Sequence, residues 1–395
     1  MQKKTVKDED VYEKRVLVRA DFNVPMDRNG KIEDDTRIRA CLPTITYLID
    51  HRARVILCSH LGRPHGRIDE HLRLEPVARR LSELLRRPVE PLREAIGPEV
   101  ERAVSDMQDS DIVLLENLRF YPGEEENDPG FASELARLAE LFVNDAFGAS
   151  HRAHASVIGL ADYLPCVAGL LMEKEIEKLS SLLENPARPF AAVMGGAKVG
   201  EKIEILENII SKVDLILIGG GMGATFLRGR GCDIGISPVE PDKVERVRTI
   251  MQKAEARGVR ILLPQDVVVT EKLETDALFR VVSAMQIPAN SMIADIGPLT
   301  IAKFTKELKN CLTVVWNGPL GVFEIPQFSD GTKSIATVLV DLNATIVICG
   351  GSTAEAVNQL GLADEMTHVS TGGGATLQFL SGKTLPGVAV LTDKE

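Results

Sequence analysis

The chain has no C-x-x-C pair and no cluster of Cys and His. Its six cysteines, Cys41, Cys58, Cys166, Cys232, Cys311 and Cys349, are scattered. That spacing excludes a structural zinc site and a disulfide framework, and it fits a reducing cytoplasm. No apolar run reaches the length needed to span a bilayer. The polar N-terminus lacks the apolar core of a signal peptide, so neither membrane nor secretion is expected. Positive charge is also short: 57 Asp and Glu outnumber 46 Lys and Arg, for a net charge of −11. A general nucleic-acid or acidic-membrane binder is thereby excluded, while a local basic pocket is not. What remains is globular in composition, 44% hydrophobic and 26% charged. At 395 residues the chain exceeds what one core usually holds, so two domains are expected.

The first half alternates short apolar runs with helical patterns. Arg15 to Arg19, Arg54 to Cys58, Asp111 to Leu115 and Leu141 to Asn144 read as strands. Leu74 to Arg86 and Phe131 to Glu140 carry helical periodicity. This alternation predicts an α/β fold, with parallel sheets covered on both faces. Each strand runs into polar residues, and in a parallel sheet those ends share one edge, where ligands bind. Arg37, Arg63, Arg119 and Arg152 would there meet His60 and Asn23 in a pocket for phosphate or carboxylate, which Arg grips bidentately. For any one of these arginines a surface ion pair is the blander reading. Four at successive loops point to a site.

Glu173 to Asn185 has the pattern of a polar-faced helix, ended by Asn185-Pro186-Ala187-Arg188-Pro189. The domain joint is placed there, with the helix as a stiff connection on which two domains could rock. The expected limits are 1–172 and 189–376 for the domains and 173–188 for the linker.

The second half repeats the logic with glycine. Strand-like runs Asp214 to Ile218, Met292 to Asp295, Thr313 to Trp316, Ala344 to Ile348 and Val369 to Thr371 each lead into glycine. With Gly195-Gly196 this predicts six glycine-lined strand ends on one sheet edge, a surface suited to a flat base and a phosphate chain. Gly219-Gly220-Gly221-Met222-Gly223-Ala224 matches the dinucleotide fingerprint, and Glu240 lies at about the right distance for its acidic partner. Glu240, however, follows Gly235-Ile236-Ser237-Pro238 and not a second strand, which argues against a dehydrogenase.

The stretch Met194 to Lys202 sits between a strand, Pro189 to Val193, and an amphipathic helix, Ile203 to Ile210. Gly195 and Gly200 have the spacing of a P-loop, but Glu201-Lys202 follow where Lys and then Ser or Thr are needed, so this is no Walker motif. Lys198 and Lys202, four apart, stack near a helix N-terminus that is already partly positive. Glu201 and Glu204 could relieve that conflict. A bound polyanion would relieve it better.

Taken in order, the blocks Val18 to Pro25, Asn144 to Gly148, Gly195 to Val199, Asn317 to Glu324, Ser370 to Ala375 and Leu385 to Val388 resemble the phosphoglycerate kinases of bacterial type, over nearly the whole chain. The resemblance implies two doubly wound α/β domains, each three layers with a parallel sheet, joined by a hinge helix. A last segment from about Leu377 would return to the N-terminal domain. It implies reversible phosphoryl transfer from 1,3-bisphosphoglycerate to ADP, giving 3-phosphoglycerate and ATP, in a cytoplasmic glycolytic monomer. Asp21, Phe22, Asn23, Arg37, His60, Leu61, Gly62, Arg63, Arg119 and Arg152 fall on its triose positions. Lys202, Gly219, Gly220, Glu324, Gly350, Gly351, Ser352 and Thr353 fall on positions around a magnesium-bound ATP or ADP.

The acceptor in that reaction is a carboxylate, ionised near neutral pH, so no side chain must remove a proton. Catalysis reduces to in-line positioning and charge neutralisation, with Arg37, Lys198 and the Gly372-Gly373 helix start as the clamp, completed on domain closure. Two departures stand out. Ser352 replaces an Asp that helps hold the metal, which puts metal affinity in question. Gly200-Glu201 replaces Ser-Asp. Ser352 is also the best argument for a different reading, a non-catalytic ligand-binding protein that kept the fold. The retained arginines and both lysines speak against it.

Overall fold

The computed structural model describes residues 2–197 and 199–394, with Glu201 described by its backbone alone. The chain divides into two compact units: residues up to Glu177 together with those from Thr384, and Lys178–Lys383.

In unit 1, strands β1 (Arg15–Arg19), β2 (Arg54–Cys58), β3 (Glu90–Pro91), β4 (Ile112–Leu114), β5 (Leu141–Asn144) and β6 (Cys166–Ala168) form one sheet. The order is β3-β4-β2-β1-β5-β6 and every pair is parallel. Val16, Leu17 and Val18 are all buried, because a parallel sheet is covered on both faces and needs no polar alternation. Val16, Val18, Val55 and Leu57 share a core with Ile38, Ile45 and Leu48 of the helix Thr36–Asp50. Each such fully buried side chain contributes about 1.5–3 kcal/mol. The chain's last residues close the sheet. The Lys4 N–H donates to the Thr392 carbonyl at 2.8 Å, and the Thr392 N–H to the Cys166 carbonyl at 2.9 Å. The Gly387 N–H donates to Ser150 at 2.9 Å, and Asn144 Nδ2 to the Gly387 carbonyl at 3.0 Å. The returning segment therefore starts at Thr384, whereas Leu377 to Lys383 stay in unit 2.

In unit 2, strands β7 (Phe190–Met194), β8 (Leu215–Ile218), β9 (Arg260–Leu262), β13 (Thr313–Asn317), β14 (Thr345–Cys349) and β15 (His368–Val369) form a second parallel sheet, ordered β15-β14-β13-β7-β8-β9. Ala191, Val193, Leu217, Val314 and Trp316 pack with Phe304, Ile335 and Leu339 from the covering helices.

Strands β10 (Asp266–Thr270), β11 (Phe279–Ser283) and β12 (Met292–Ile296) make a separate antiparallel sheet, ordered β11-β10-β12. This corrects the expectation of six glycine ends on one edge. Five belong to the parallel sheet, and Gly297 ends a strand of the other. The residues of Met292–Ile296 suit any strand, and their direction is set by β10, a partner that local pattern does not reveal. The helix Leu170–Glu184 begins three residues before Glu173, where the sequence pattern started it.

Candidate active site

The polar residues after β1, β2, β4 and β5 collect at one edge of the unit 1 sheet. Arg37 Nη1, on the first turn of the helix Thr36–Asp50, donates to Asp21 Oδ2 at 2.9 Å. The Asn23 N–H donates to Asp21 Oδ1 at 3.2 Å, and the Gly62 N–H to Asn23 Oδ1 at 2.9 Å. Arg119 Nη1 donates to the Gly62 carbonyl at 2.7 Å. Buried Phe22 donates its N–H to Ser59 Oγ, and buried Leu61 donates its N–H to Asn117 Oδ1. Asn117 Nδ2 ties the Leu61 and Leu72 carbonyls at 2.8 and 2.9 Å. Arg63 is exposed and Arg152 half-buried on this edge.

Several partners here were not singled out in the sequence. Arg19, only 1% exposed, donates through Nε to Ser156 Oγ at 2.8 Å and lies 3.0 Å from His60 Nδ1 through Nη2. Ser156 in turn donates its hydroxyl to the buried Glu124 at 2.6 Å, and His154 Nδ1 lies 3.8 Å from the same carboxylate. Burial, reinforced by Arg19, Arg119, Arg152 and Arg37, pushes His60 well below the usual imidazole range. Burial and Arg119 push His154 down to about 4, and burial and Arg152 lower His151 as well. These rings are therefore neutral near pH 7 and leave the positive charge to the guanidinium groups. Arg119 itself is pushed down to about 10 by burial and then by Arg152, still charged at neutral pH. A dense, partly desolvated guanidinium cluster of this kind is stabilised by an anion. Arg19 stands inside the Val18 to Pro25 block, where a terminal strand residue gives no hint that it turns inward.

In unit 2 the strand ends are stitched backbone to backbone. The Gly195 N–H donates to the Asn317 carbonyl at 2.9 Å, and the Gly196 N–H to Pro319 at 2.7 Å. The Gly220 N–H reaches Leu320 at 2.9 Å, and the Gly219 N–H reaches Met194 at 2.9 Å. Gly318 has φ +93°, and a Cβ there would run into the Gly195 backbone, so only glycine fits. Lys202, 8% exposed, turns its ammonium back to donate to the Gly195 carbonyl, in the space that Gly196 and Gly318 leave open. Lys198 lies outside the described residues.

Gly350, at φ +86°, opens the helix Gly351–Gln359, whose first turn exposes Gly351 and Ser352. Thr353 is buried, and its hydroxyl accepts the Gly318 N–H at 2.6 Å. The Gly372 N–H already donates to Ser370 Oγ at 3.2 Å, and Gly373 (φ +50°) precedes the two-turn helix Gly374–Leu380. Glu324 is exposed on the loop between β13 and the helix Asp330–Val340. Asp295 pins that region, accepting the Ile296 and Gly331 N–H groups at 2.8 Å each. Burial pushes its carboxyl up to about 7 against the pull of those bonds.

Among the described residues no three His, Cys, Asp or Glu groups form a metal cluster. Magnesium typically takes one or two protein oxygens and completes its shell with phosphates and water. The exposed Ser352 hydroxyl fits that pattern, as does buried Asn317 Oδ1, which has no hydrogen-bond partner among the described residues. The residues thus suit an ion that arrives on a nucleotide.

An arginine pocket at one parallel-sheet edge and a glycine-lined, lysine-bearing edge on another define an α/β protein built for phosphorylated ligands. The family model for phosphoglycerate kinase matches residues 6–383. Phosphoglycerate kinase of Pelotomaculum thermopropionicum is 55% identical over 394 residues, and that of Dictyoglomus turgidum 54% over 398, with 100% of both chains covered in each case. The solved phosphoglycerate kinase of Coxiella burnetii superposes with a TM-score of 0.88 at 41% identity, and that of Pyrococcus horikoshii with 0.87 at 33%. Each of these structures covers 98% of both chains. The chain belongs to the phosphoglycerate kinase family and is a phosphotransferase of glycolysis.

Proposed function

We propose that the unit 1 edge binds 3-phosphoglycerate or 1,3-bisphosphoglycerate, that the unit 2 edge binds ADP or ATP, and that the chain transfers the phosphoryl group in line between them. The observation that carries this reading is the guanidinium set around neutral His60. It offers paired N–H donors to phosphate and carboxylate, and the neutral ring adds no further repulsion among the cations. Asp21 aims Arg37 through their 2.9 Å bond, and Asn23 fixes the Gly62 turn against which Arg119 is held.

On the nucleotide side, Lys202 and the Gly350 to Thr353 turn hold the resting phosphates, with Gly219 and Gly220 beneath the nucleoside and Glu324 at the ribose. Lys198, Arg37 and the Gly372-Gly373 turn neutralise the phosphoryl group in flight. A bound magnesium ion would supply further neutralisation of phosphate charge, with the Ser352 hydroxyl in its hydrated shell. The carboxylate acceptor needs no general base, and none of the buried neutral histidines is asked to be one.

The six cysteines are buried thiols, not disulfides, which suits a reducing cytoplasm. No described helix is long and apolar enough to cross a membrane. A monomer without nucleic-acid partners is the proposed working form. The limits 1–172 and 173–188 are proposed as the functional boundaries of the first domain and the linker, with the helix between the domains as the hinge.

A coupled assay of ATP formation with titrated magnesium tests the reading. Turnover rising with metal to saturation is expected, and Lys198→Ala should lower turnover far more than it weakens 3-phosphoglycerate binding. No turnover at saturating magnesium, with ligand binding intact, would make the chain a binder.

A further inference from the structure

The helix Val199–Ile209 carries Lys202 and begins where the two-lysine stretch places a polyanion. Its first N–H groups are already engaged by a carboxylate from elsewhere in the chain. Glu240 Oε1 accepts the N–H of Val199 at 3.1 Å and that of Gly200 at 3.3 Å. Glu240 stands directly before the helix Pro241–Ala256 but makes no side-chain cap to it, and Pro241 has no N–H to offer. Its side chain serves the other helix. The two helices are also tied further along by Arg246 Nη2 and Glu207 Oε2 at 2.9 Å. A Cβ at Gly200 would come within 3.1 Å of both Glu240 Oε2 and Lys243 Cε. The bonds from Val199 and Gly200 are at the long end of the hydrogen-bond range, so even a small push would break them.

We infer that Glu240 is a positioning residue for Lys202, supplying from a distant loop the N-terminal cap that holds the helix Val199–Ile209 in register. Glu204, by contrast, is drawn to Lys383 at 2.5 Å. A carboxylate at a helix N-terminus satisfies orphan donors and complements the dipole. Because Glu240 takes the N–H groups, incoming phosphate is left to the ammonium groups and the glycine-lined strand ends. The same geometry accounts for Gly200: a side chain there would crowd the cap. Glu240, whose spacing from the Gly219 turn matches the acidic partner of a dinucleotide fingerprint without its second strand, caps the helix Val199–Ile209 instead.

This inference rests on unit 2 being the nucleotide site. The test is calorimetric titration of ADP into wild type, Glu240→Ala, Glu240→Gln, Gly200→Ala and the double variant Glu240→Ala/Gly200→Ala, with 3-phosphoglycerate titrated in parallel. Glu240→Ala is expected to weaken ADP binding five- to tenfold with 3-phosphoglycerate binding unchanged. Glu240→Gln, which keeps an acceptor, should return within twofold of wild type. Gly200→Ala should weaken ADP binding alone but add nothing to Glu240→Ala. Unchanged or tighter ADP binding by Glu240→Ala would overturn the inference, tighter binding meaning that the carboxylate competes with phosphate. So would Glu240→Gln binding as poorly as Glu240→Ala. If Glu240→Ala does not fold, Glu240→Gln and Gly200→Ala decide alone: a weakened Gln variant or an unaffected Ala variant overturns it. Failure of wild type to bind ADP would instead sink the nucleotide assignment itself.

Discussion

His154 shows how one residue's surroundings set its chemistry. Unfolded, an imidazole takes a proton near pH 6.5; in the fold, burial and Arg119 delay that to about 4. The unfolded chain thus binds more protons between these values, and stability falls as pH drops through that window. His60 is shifted in the same direction. The thermal midpoint should fall between about pH 6.5 and pH 4, and His154→Gln should flatten that fall in a pH series of melting curves. An unchanged acid slope would remove His154 from the account. Arg119 makes the complementary case. Its Nη1 is fixed on the Gly62 carbonyl and its Nε lies 3.3 Å from Glu125, so Lys could keep the charge but not the fork. Charge-assisted bonds are worth about 1.5–3 kcal/mol. Arg119→Lys should accordingly raise the half-saturating 3-phosphoglycerate concentration at least about tenfold while leaving that of ATP unchanged, as read from initial rates.

At the scale of the element, the unit 2 turns act as one stitched layer. The ends of β7, β8 and β13 share backbone bonds, and the first turn of the helix Gly351–Gln359 joins them through Thr353. Trp316 closes the layer from below, fully buried and donating Nε1–H to the Gly318 carbonyl at 2.8 Å. Thr353→Val keeps the shape but leaves the Gly318 N–H buried without an acceptor, a cost of about 1–3 kcal/mol. Denaturant unfolding should show that loss, together with weaker ADP binding. Stability equal to wild type would mean that the turn relaxes to find another acceptor. The strands themselves were legible as short apolar runs ending in glycine. Which sheet each joined was not, because Met292–Ile296 and Thr313–Asn317 have similar residues, yet one pairs antiparallel with β10 and the other parallel with β7.

For the molecule as a whole, the segment from Thr384 completes unit 1. It pairs with Lys4 and Cys166 at the sheet edge and braces the Asn144 to Ser150 turn through Gly387. A Cβ at Gly387 would collide with Ser150 and Val157, so this is a close backbone approach, not a loose tail. Removing residues 384–395 should weaken 3-phosphoglycerate binding and lower the unfolding midpoint of unit 1, with ADP binding by unit 2 retained. Loss of ADP binding to the same degree would mean that the two units do not fold independently.

The sequence by itself determined the chemistry of the ligand-facing residues and the alternation that makes parallel sheets. Asn23 and several of the glycines stand in contiguous blocks, Arg119 closely follows an apolar run, and apolar runs of β-branched residues report burial on both faces. Tertiary structure decided how those groups are held. Burial and neighbouring guanidinium groups made His60 and His154 neutral, Ser156 linked buried Arg19 to Glu124 beside His60, and Glu240 came 40 residues along the chain to cap the helix of Lys202. Charge state and capping depend on what packs nearby in space. Local sequence records only what comes next along the chain.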